Sequence, residues 1–266
     1  MRIAVENASF SYGDRLIVNG CSFAYESPDT LCILGANGTG KSTLLRCIIG
    51  ELPLSGGRIL VDGKPNTSYS AREFARKIAY IPQSHAPSFG FTCRDVVTMG
   101  CTSRMGYFSN PGEEDVACAE RQLEYLGVAD LADKPYTDIS GGERQLVMIA
   151  SALAQDAEVM ILDEPTAHLD FGKAYQFLGL VEKLRSRGVG VIMTTHFPDH
   201  ALLLKGKTAI LANGSIQAMG TAHEVVTSDR MATLYGIPVE VLEVGNRSIC
   251  IPGGVDSREA AASCER

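Results

Sequence analysis

Apolar and polar residues alternate through RIAVENASFSY and again through RLIVNGCSFAY, with a Gly13-Asp14 step between them. A period of two on both sides of a turn predicts a pair of antiparallel strands. The pattern then changes. LCIL is an unbroken apolar run too short for a helix, and it leads through a glycine-rich stretch into KSTLLRCIIG, where apolar residues recur at helical spacing. GGRILVDGK predicts a strand closed by an Asp62-Gly63 turn, AREFARK a short helix, and IAYIP a further strand. From Thr92 to Gln155 strand signals disappear, and helical periodicity dominates RDVVTMG, EEDVACAERQLEYLG and GERQLVMIASALA. VMILDEP, GVGVIMTTH and TAILANG follow as apolar runs without alternation, the pattern of strands buried on both faces of a parallel sheet. The helix GKAYQFLGLVEKLRSRG separates the first two and stops at Gly188.

The order of these segments predicts an α/β fold with a mostly parallel sheet, an N-terminal antiparallel β lobe and an inserted α-helical subdomain. A single domain is expected over residues 1–252, with the helical part at about 84–156 and a hairpin in VEVLEVGNRSICI at about 239–251. Residues 253–266, rich in small and polar types, are expected to be loosely ordered. With 266 residues and 45% hydrophobic content the chain can bury a full core. Its 24 basic against 31 acidic residues argue against nucleic acid as a partner, because backbone phosphates need a basic footprint. The eight cysteines form no C-x-x-C pair, so buried free thiols in a reducing cytosol are expected rather than disulfides or zinc. No secretory leader is legible, and no run approaches the roughly 18 apolar residues of a membrane helix.

Chemistry enters at GANGTGKST. Gly35, Gly40, Lys41 and Ser42 have the spacing of a P-loop, and the strand before and helix after it supply the required context. In such a loop, backbone N–H groups from Gly35 through Thr43, Asn37 and Gly38 included, converge on phosphate oxygens at a helix N-terminus. Lys41 reaches the terminal phosphates and Ser42 ligates Mg²⁺. This makes the sheet a P-loop NTPase core with ATP and Mg²⁺ as its cofactors. A carboxylate at a buried strand end must help hold the metal, and VMILDEP supplies Asp163. Adjacent Glu164 is placed to act on the attacking water once the strand's alternation ends. His196 closes the run VIMTTH at the same sheet edge and is expected to contact the terminal phosphate.

A second anion-binding helix start lies at SGGE. Ser140 and Glu143 form a capping box ahead of a stripe of Leu146, Ile149, Ala150 and Leu153. Gly141 and Gly142 are not needed for a cap and cost helix stability unless something approaches the backbone closely. One nucleotide has one set of terminal phosphates, so the simplest reading is that this element meets the phosphate held by another copy of the chain.

GANGTGKST, IAYIPQ, ISGGERQ, VMILDEP, HLD and TTH stand in the order and spacing of the nucleotide-binding subunit of ABC transporters, which this chain resembles over nearly its whole length. The resemblance implies an ATPase whose two copies pack head to tail, each SGG element sealing ATP in the other's P-loop. It also implies that Gln83 contacts Mg²⁺ and senses a membrane partner, that Asp170 crosses the dimer contact, and that Tyr12 stacks on adenine. A plain strand aromatic alternating with Phe10 is the other reading of Tyr12. Where the family most often has LSGGQ, this chain has Ile139 and Glu143, and His168 replaces a small residue. FTCRDVVTMGCTSRMGYFSNPGEED, SGGERQL and MATLYGIPVEVLEV are similar to importer ATPases for iron-siderophore, haem, cobalamin and molybdate. That likeness implies a protein at the cytoplasmic face of the membrane, working with permease subunits and an extracytoplasmic substrate-binding protein. Some of Phe89, Phe91, Tyr107 and Phe108 are expected to line a groove for a cytoplasmic permease helix; ordinary core packing is the other reading of each. A soluble ATPase of the iron-sulfur assembly type and an efflux ATPase stay open; a DNA-maintenance ATPase would need a long coiled coil that the chain lacks.

Overall fold

The computed structural model describes residues 1–83, 90–105, 110–167 and 169–253. In chain order the strands and helices are β1 (Arg2–Tyr12), β2 (Arg15–Glu26), β3 (Thr30–Leu34), α1 (Lys41–Ile48), β4 (Gly56–Val61), β5 (Lys64–Pro65), α2 (Ala71–Lys77) and β6 (Ile78–Ile81). Three helices follow, α3 (Cys93–Met99), α4 (Glu113–Tyr125) and α5 (Gly141–Ala154). Then come β7 (Val159–Leu162), α6 (Phe171–Ser186), β8 (Gly190–Thr195), α7 (Pro198–Leu203), β9 (Lys207–Ala212) and β10 (Ser215–Thr221). The chain closes with α8 (Ala222–Val225), α9 (Ser228–Tyr235), β11 (Val239–Val244) and β12 (Arg247–Pro252).

Three sheets result: β2-β1-β4-β5, the β11-β12 hairpin, and six strands ordered β10-β9-β3-β8-β7-β6. Within the large sheet only the edge strand β10 is antiparallel to its neighbour. Every residue of β3, β7 and β8 is buried, because each face of these strands is covered. Leu31, Ile33, Ile161, Ile192, Ala209 and Leu211 point into a core shared with α1 and the antiparallel lobe. Their neighbours Met160, Leu162, Val191 and Met193 face α6, while Cys32, Leu34 and Ile210 face the packing of α7, α8 and α9. The lobe strands keep one wetter face and so retain the alternation visible in the sequence.

Helices α3, α4 and α5 enclose a separate core around Cys93, Val97, Ala119, Leu123, Val147 and Ala150. Helix α5 serves two cores, since Ile149 and Ala152 pack with the sheet side. For that reason its buried face is broader than the expected stripe: Gln145, Val147 and Ala154 are buried, whereas Leu146 and Leu153 are half-buried. All seven described cysteines are free, with Cys118 and Cys250 half-buried rather than buried. Cys264, His168, Phe89, Tyr107, Phe108 and residues 254–266 lie outside the described residues. No helix among the described residues is long and apolar enough to cross a membrane.

Candidate functional site

Sheet register brings the motifs to one edge. Leu34 pairs with Thr195, Leu162 with Met193, and Ile81 with Leu162, so the residues that follow these strands emerge together. The Gly35 N–H bonds the Thr195 carbonyl at 3.2 Å, and the Asp163 N–H bonds the Ile81 carbonyl at 2.9 Å. These bonds extend the ladder one residue past the strands and fix where the loops depart.

The P-loop turns into α1 through Gly40 at φ 98°, a conformation closed to a residue with a Cβ. Helix α1 has no side-chain cap and no acid in its first turn. The contrast with α2, α3 and α5 is informative, because each of those starts behind a capping box that contains a carboxylate. The N–H groups at the start of α1 are therefore left to an external acceptor, and the charge that the first turn itself carries is the Lys41 ammonium. Asn37 and Gly38 are exposed in the loop; Ser42 and Thr43, in the first helical turn, are half-buried.

Lys41 is only 4% exposed, and its charge is held by three contacts: Glu164 Oε1 at 3.0 Å, the Gly35 carbonyl at 2.9 Å and the Ala36 carbonyl at 3.0 Å. Any phosphate entering the loop competes for the same ammonium protons. Glu164 is the hub. Its Oε2 accepts from His196 Nδ1 at 3.1 Å and from Gln83 Nε2 at 3.4 Å. Because a carboxylate only accepts, His196 carries its proton on Nδ1, and Nε2 can donate only when the ring is protonated.

The expectation that Asp163 and Glu164 both serve the edge has a backbone cause. Glu164 sits at φ 45°, an uncommon conformation for a residue other than glycine, and this swings its side chain out of the strand's alternation. Thr194 holds that geometry. Its buried hydroxyl donates to Asp163 Oδ1 at 2.7 Å and accepts from the Glu164 N–H at 2.8 Å. Thr195, pointing to the other face of β8, meets His200 Nδ1 at 3.1 Å, and the same nitrogen lies 3.4 Å from Thr166 Oγ1. Burial pushes the His200 pKa down to about 4, so the ring is neutral at physiological pH. Tyr235, from α9, donates to the His196 carbonyl at 2.8 Å. Thr194, His200 and Tyr235 were not singled out from the sequence. The two threonines before His196 were the one legible signal, a pair of hydroxyls in a strand otherwise buried and apolar.

The remaining site residues lie apart from this cluster. Tyr12 is 47% exposed at the end of β1, its hydroxyl accepts from Arg46 at 3.2 Å, and its ring meets Phe10 edge-on with centroids 4.8 Å apart. Ser140 accepts from the Glu143 N–H at 3.3 Å while Glu143 Oε2 accepts from the Ser140 N–H at 2.7 Å. The capping box expected at α5 is thus present, and it sets a carboxylate beside the helix start, with its pKa lowered by its hydrogen bonds to Ser140. Gly141 is exposed and Gly142 buried. Asp170 caps α6 by accepting from the Lys173 N–H at 2.8 Å. Phe91 is 44% exposed. It is not part of the cavity of about 550 Å³ between α2 and the helical core, whose walls include Arg72, Met99, Ser103 and Gln155.

Comparison with known proteins gives a consistent picture. Residues 18–167 match the sequence family described as ABC transporter. An uncharacterized ABC transporter ATP-binding protein of Haemophilus influenzae is 36% identical over 242 residues, covering 91% of this chain and 92% of its own. The iron(3+)-hydroxamate import ATP-binding protein FhuC of Bacillus subtilis is 31% identical, with 94% of each chain covered. The hemin import ATP-binding protein HmuV of Nocardia farcinica is 34% identical over 91% of this chain and 83% of its own. Among solved structures, a chain from an inward-facing ABC transporter described as of metal-chelate type superposes with a TM-score of 0.83 at 29% identity, over 95% of this chain and 98% of that one. An ATP-binding cassette in its ADP conformation, MJ1267, gives 0.76 at 26% identity over 88% and 98%.

Proposed function

Because the chain belongs to the ABC transporter family and is an ATP-hydrolysing subunit of that family, we propose that it powers import of a metal chelate or an oxyanion through a partner membrane permease. The observation that carries the catalytic part is the Glu164 carboxylate, gathered with Lys41, His196 and Gln83 at the mouth of an uncapped helix. The import direction is supported by relatives named for iron-hydroxamate, hemin and molybdate import.

In this reading ATP phosphates lie on the N–H groups of Gly35 to Thr43 and draw Lys41 away from Glu164. The freed carboxylate then orients water as general base, and His196 keeps it in place through Nδ1. For His196 also to donate from Nε2 to a phosphate oxygen, the ring must take up a proton. Ser42, Asp163 and Gln83 offer a hydroxyl, a carboxylate and an amide oxygen, a sparse hard-donor set of the kind that suits Mg²⁺. When bound, the ion neutralises charge on the phosphate oxygens. Thr194 holds the Asp163 carboxylate by its Oδ1, and the carboxylate would serve the ion from that fixed position.

Two copies assemble head to tail, with the Ser140 hydroxyl and the Gly141 and Gly142 N–H groups donating to the partner's nucleotide. Asp170 crosses the contact, and Tyr12, held by Arg46, stacks on adenine. The assembly sits at the cytoplasmic face of the membrane, with an extracytoplasmic substrate-binding protein completing the system. The cleft between α2 and the helical core is the place we assign to a cytoplasmic helix of the permease. The unit runs over residues 1–252, with the helical subdomain at about 84–156.

The test is affinity purification of Glu164→Gln protein from detergent-solubilised membranes with ATP and Mg²⁺, followed by mass spectrometry. A co-purifying many-helix membrane protein together with a substrate-binding protein is expected. Soluble partners alone would replace transport with an assembly role.

A further inference from the structure

The nucleotide edge is not the only place where cations gather. At the opposite edge of the large sheet, a cavity of about 700 Å³ is walled by Lys205, Lys207, His223 and Arg247, with Ser248 and Asn246 beside them. Among the described residues its one acidic wall residue is Asp29, whose Oδ1 already accepts from the Thr30 N–H. In a chain with seven more acidic than basic residues, this is a local reversal of sign. Among the described residues, no ion pair or side-chain hydrogen bond engages Lys205, Lys207 or Arg247, so their charges are open to an incoming anion.

The walls are fixed elements. Lys207 opens β9 in register with Leu31 on one side and Thr221 on the other. Gly206 lies so close to the Thr30 backbone that a Cβ would collide with it, and the Lys205 N–H is tied to Glu182 at 2.9 Å. The hairpin that supplies Arg247 is pinned to α7 by the Cys250 N–H on Asp199 at 2.8 Å. Ser248 donates its single proton to Glu243 at 2.7 Å, so His223 Nδ1, 3.2 Å away, is the donor of that pair and holds the imidazole at the rim. Several exposed basic side chains on anchored backbone around one cavity favour an anion with at least two charges, which can accept from more than one of them.

We infer that this cavity is an anion site for a phosphate-bearing group, separate from the P-loop. A soluble phosphorylated molecule and an anionic lipid headgroup share that chemistry. Two probes separate them: inorganic pyrophosphate followed by calorimetry, and phosphatidylcholine vesicles containing phosphatidylglycerol followed by co-sedimentation. Both are run on the full chain with saturating ADP, so that the P-loop is filled. Binding should weaken by about tenfold or more in Lys205→Glu/Arg247→Glu and fall in the neutral Lys207→Gln, with far-ultraviolet circular dichroism unchanged. Pyrophosphate binding lost in these variants makes the source soluble; vesicle binding alone lost in them makes it a headgroup. Binding that persists in Lys41→Ala keeps this site distinct from any failure of the nucleotide assignment. If neither probe binds, or if the variants bind as the wild type does, the inference falls.

Discussion

Thr194→Val replaces a buried hydroxyl by a methyl of nearly the same size, so its cost is polar rather than steric. Two bonds disappear together: the donation to Asp163 Oδ1 at 2.7 Å and the acceptance from the Glu164 N–H at 2.8 Å. A hydrogen bond to a charged group contributes about 1.5–3 kcal/mol, and a buried N–H left without an acceptor costs about 1–3 kcal/mol. The two share one hydroxyl and do not add in full, so a loss of about 3 kcal/mol is expected. For a domain of this size that corresponds to a fall in Tm of about 6–12 °C. The φ of 45° at Glu164 also loses its anchor, so hydrolysis should drop by about 10- to 100-fold, in the range seen when a supporting partner of a metal ligand is removed. Urea unfolding and steady-state phosphate release read the two effects, with Thr194→Ser as control because it keeps the hydroxyl. A Val variant within about 0.5 kcal/mol of wild type, or a Ser variant as damaged as Val, would refute the argument.

Glu164→Gln should bind ATP, fail to turn it over and accumulate as an ATP-dependent dimer in gel filtration; full activity would remove Glu164 from its assigned role. His200 makes stability depend on pH with a definite sign. Its folded pKa is depressed from 6.5 to about 4, so the unfolded chain binds the extra proton between those values. About 3 kcal/mol present above pH 6.5 should be lost as pH falls to 4, and His200→Asn should flatten that limb in urea titrations. Glu143→Gln keeps the cap but removes a charge beside the proposed phosphate contact, so ATP-driven dimerisation should tighten about two- to fivefold, read by light scattering. Asp170→Ala should cost about 1 kcal/mol through the lost cap of α6; an unchanged unfolding midpoint would show that the cap is dispensable.

Much of this architecture was legible because it is local. Period-two alternation survives in β1 and β2 because one face of the lobe is wetter, and unbroken apolar runs mark β3, β7 and β8 because both faces are covered. Capping boxes and the Gly40 turn are written in residues one to four apart, so the starts of α1 and α5 followed from the sequence alone. So did the identity of the residues at each strand end. What the sequence could not determine is which strand lies beside which, since that depends on packing between segments far apart in the chain. The order β10-β9-β3-β8-β7-β6 is what sets Glu164 against Lys41, 123 positions away in the sequence, at 3.0 Å. The same tertiary register turned Thr194 and Thr195 to opposite faces with different partners, and gave α5 two cores to serve. It also drew four basic residues from three separate segments around one cavity, because strand pairing and hairpin docking bring together what no sequence spacing encodes.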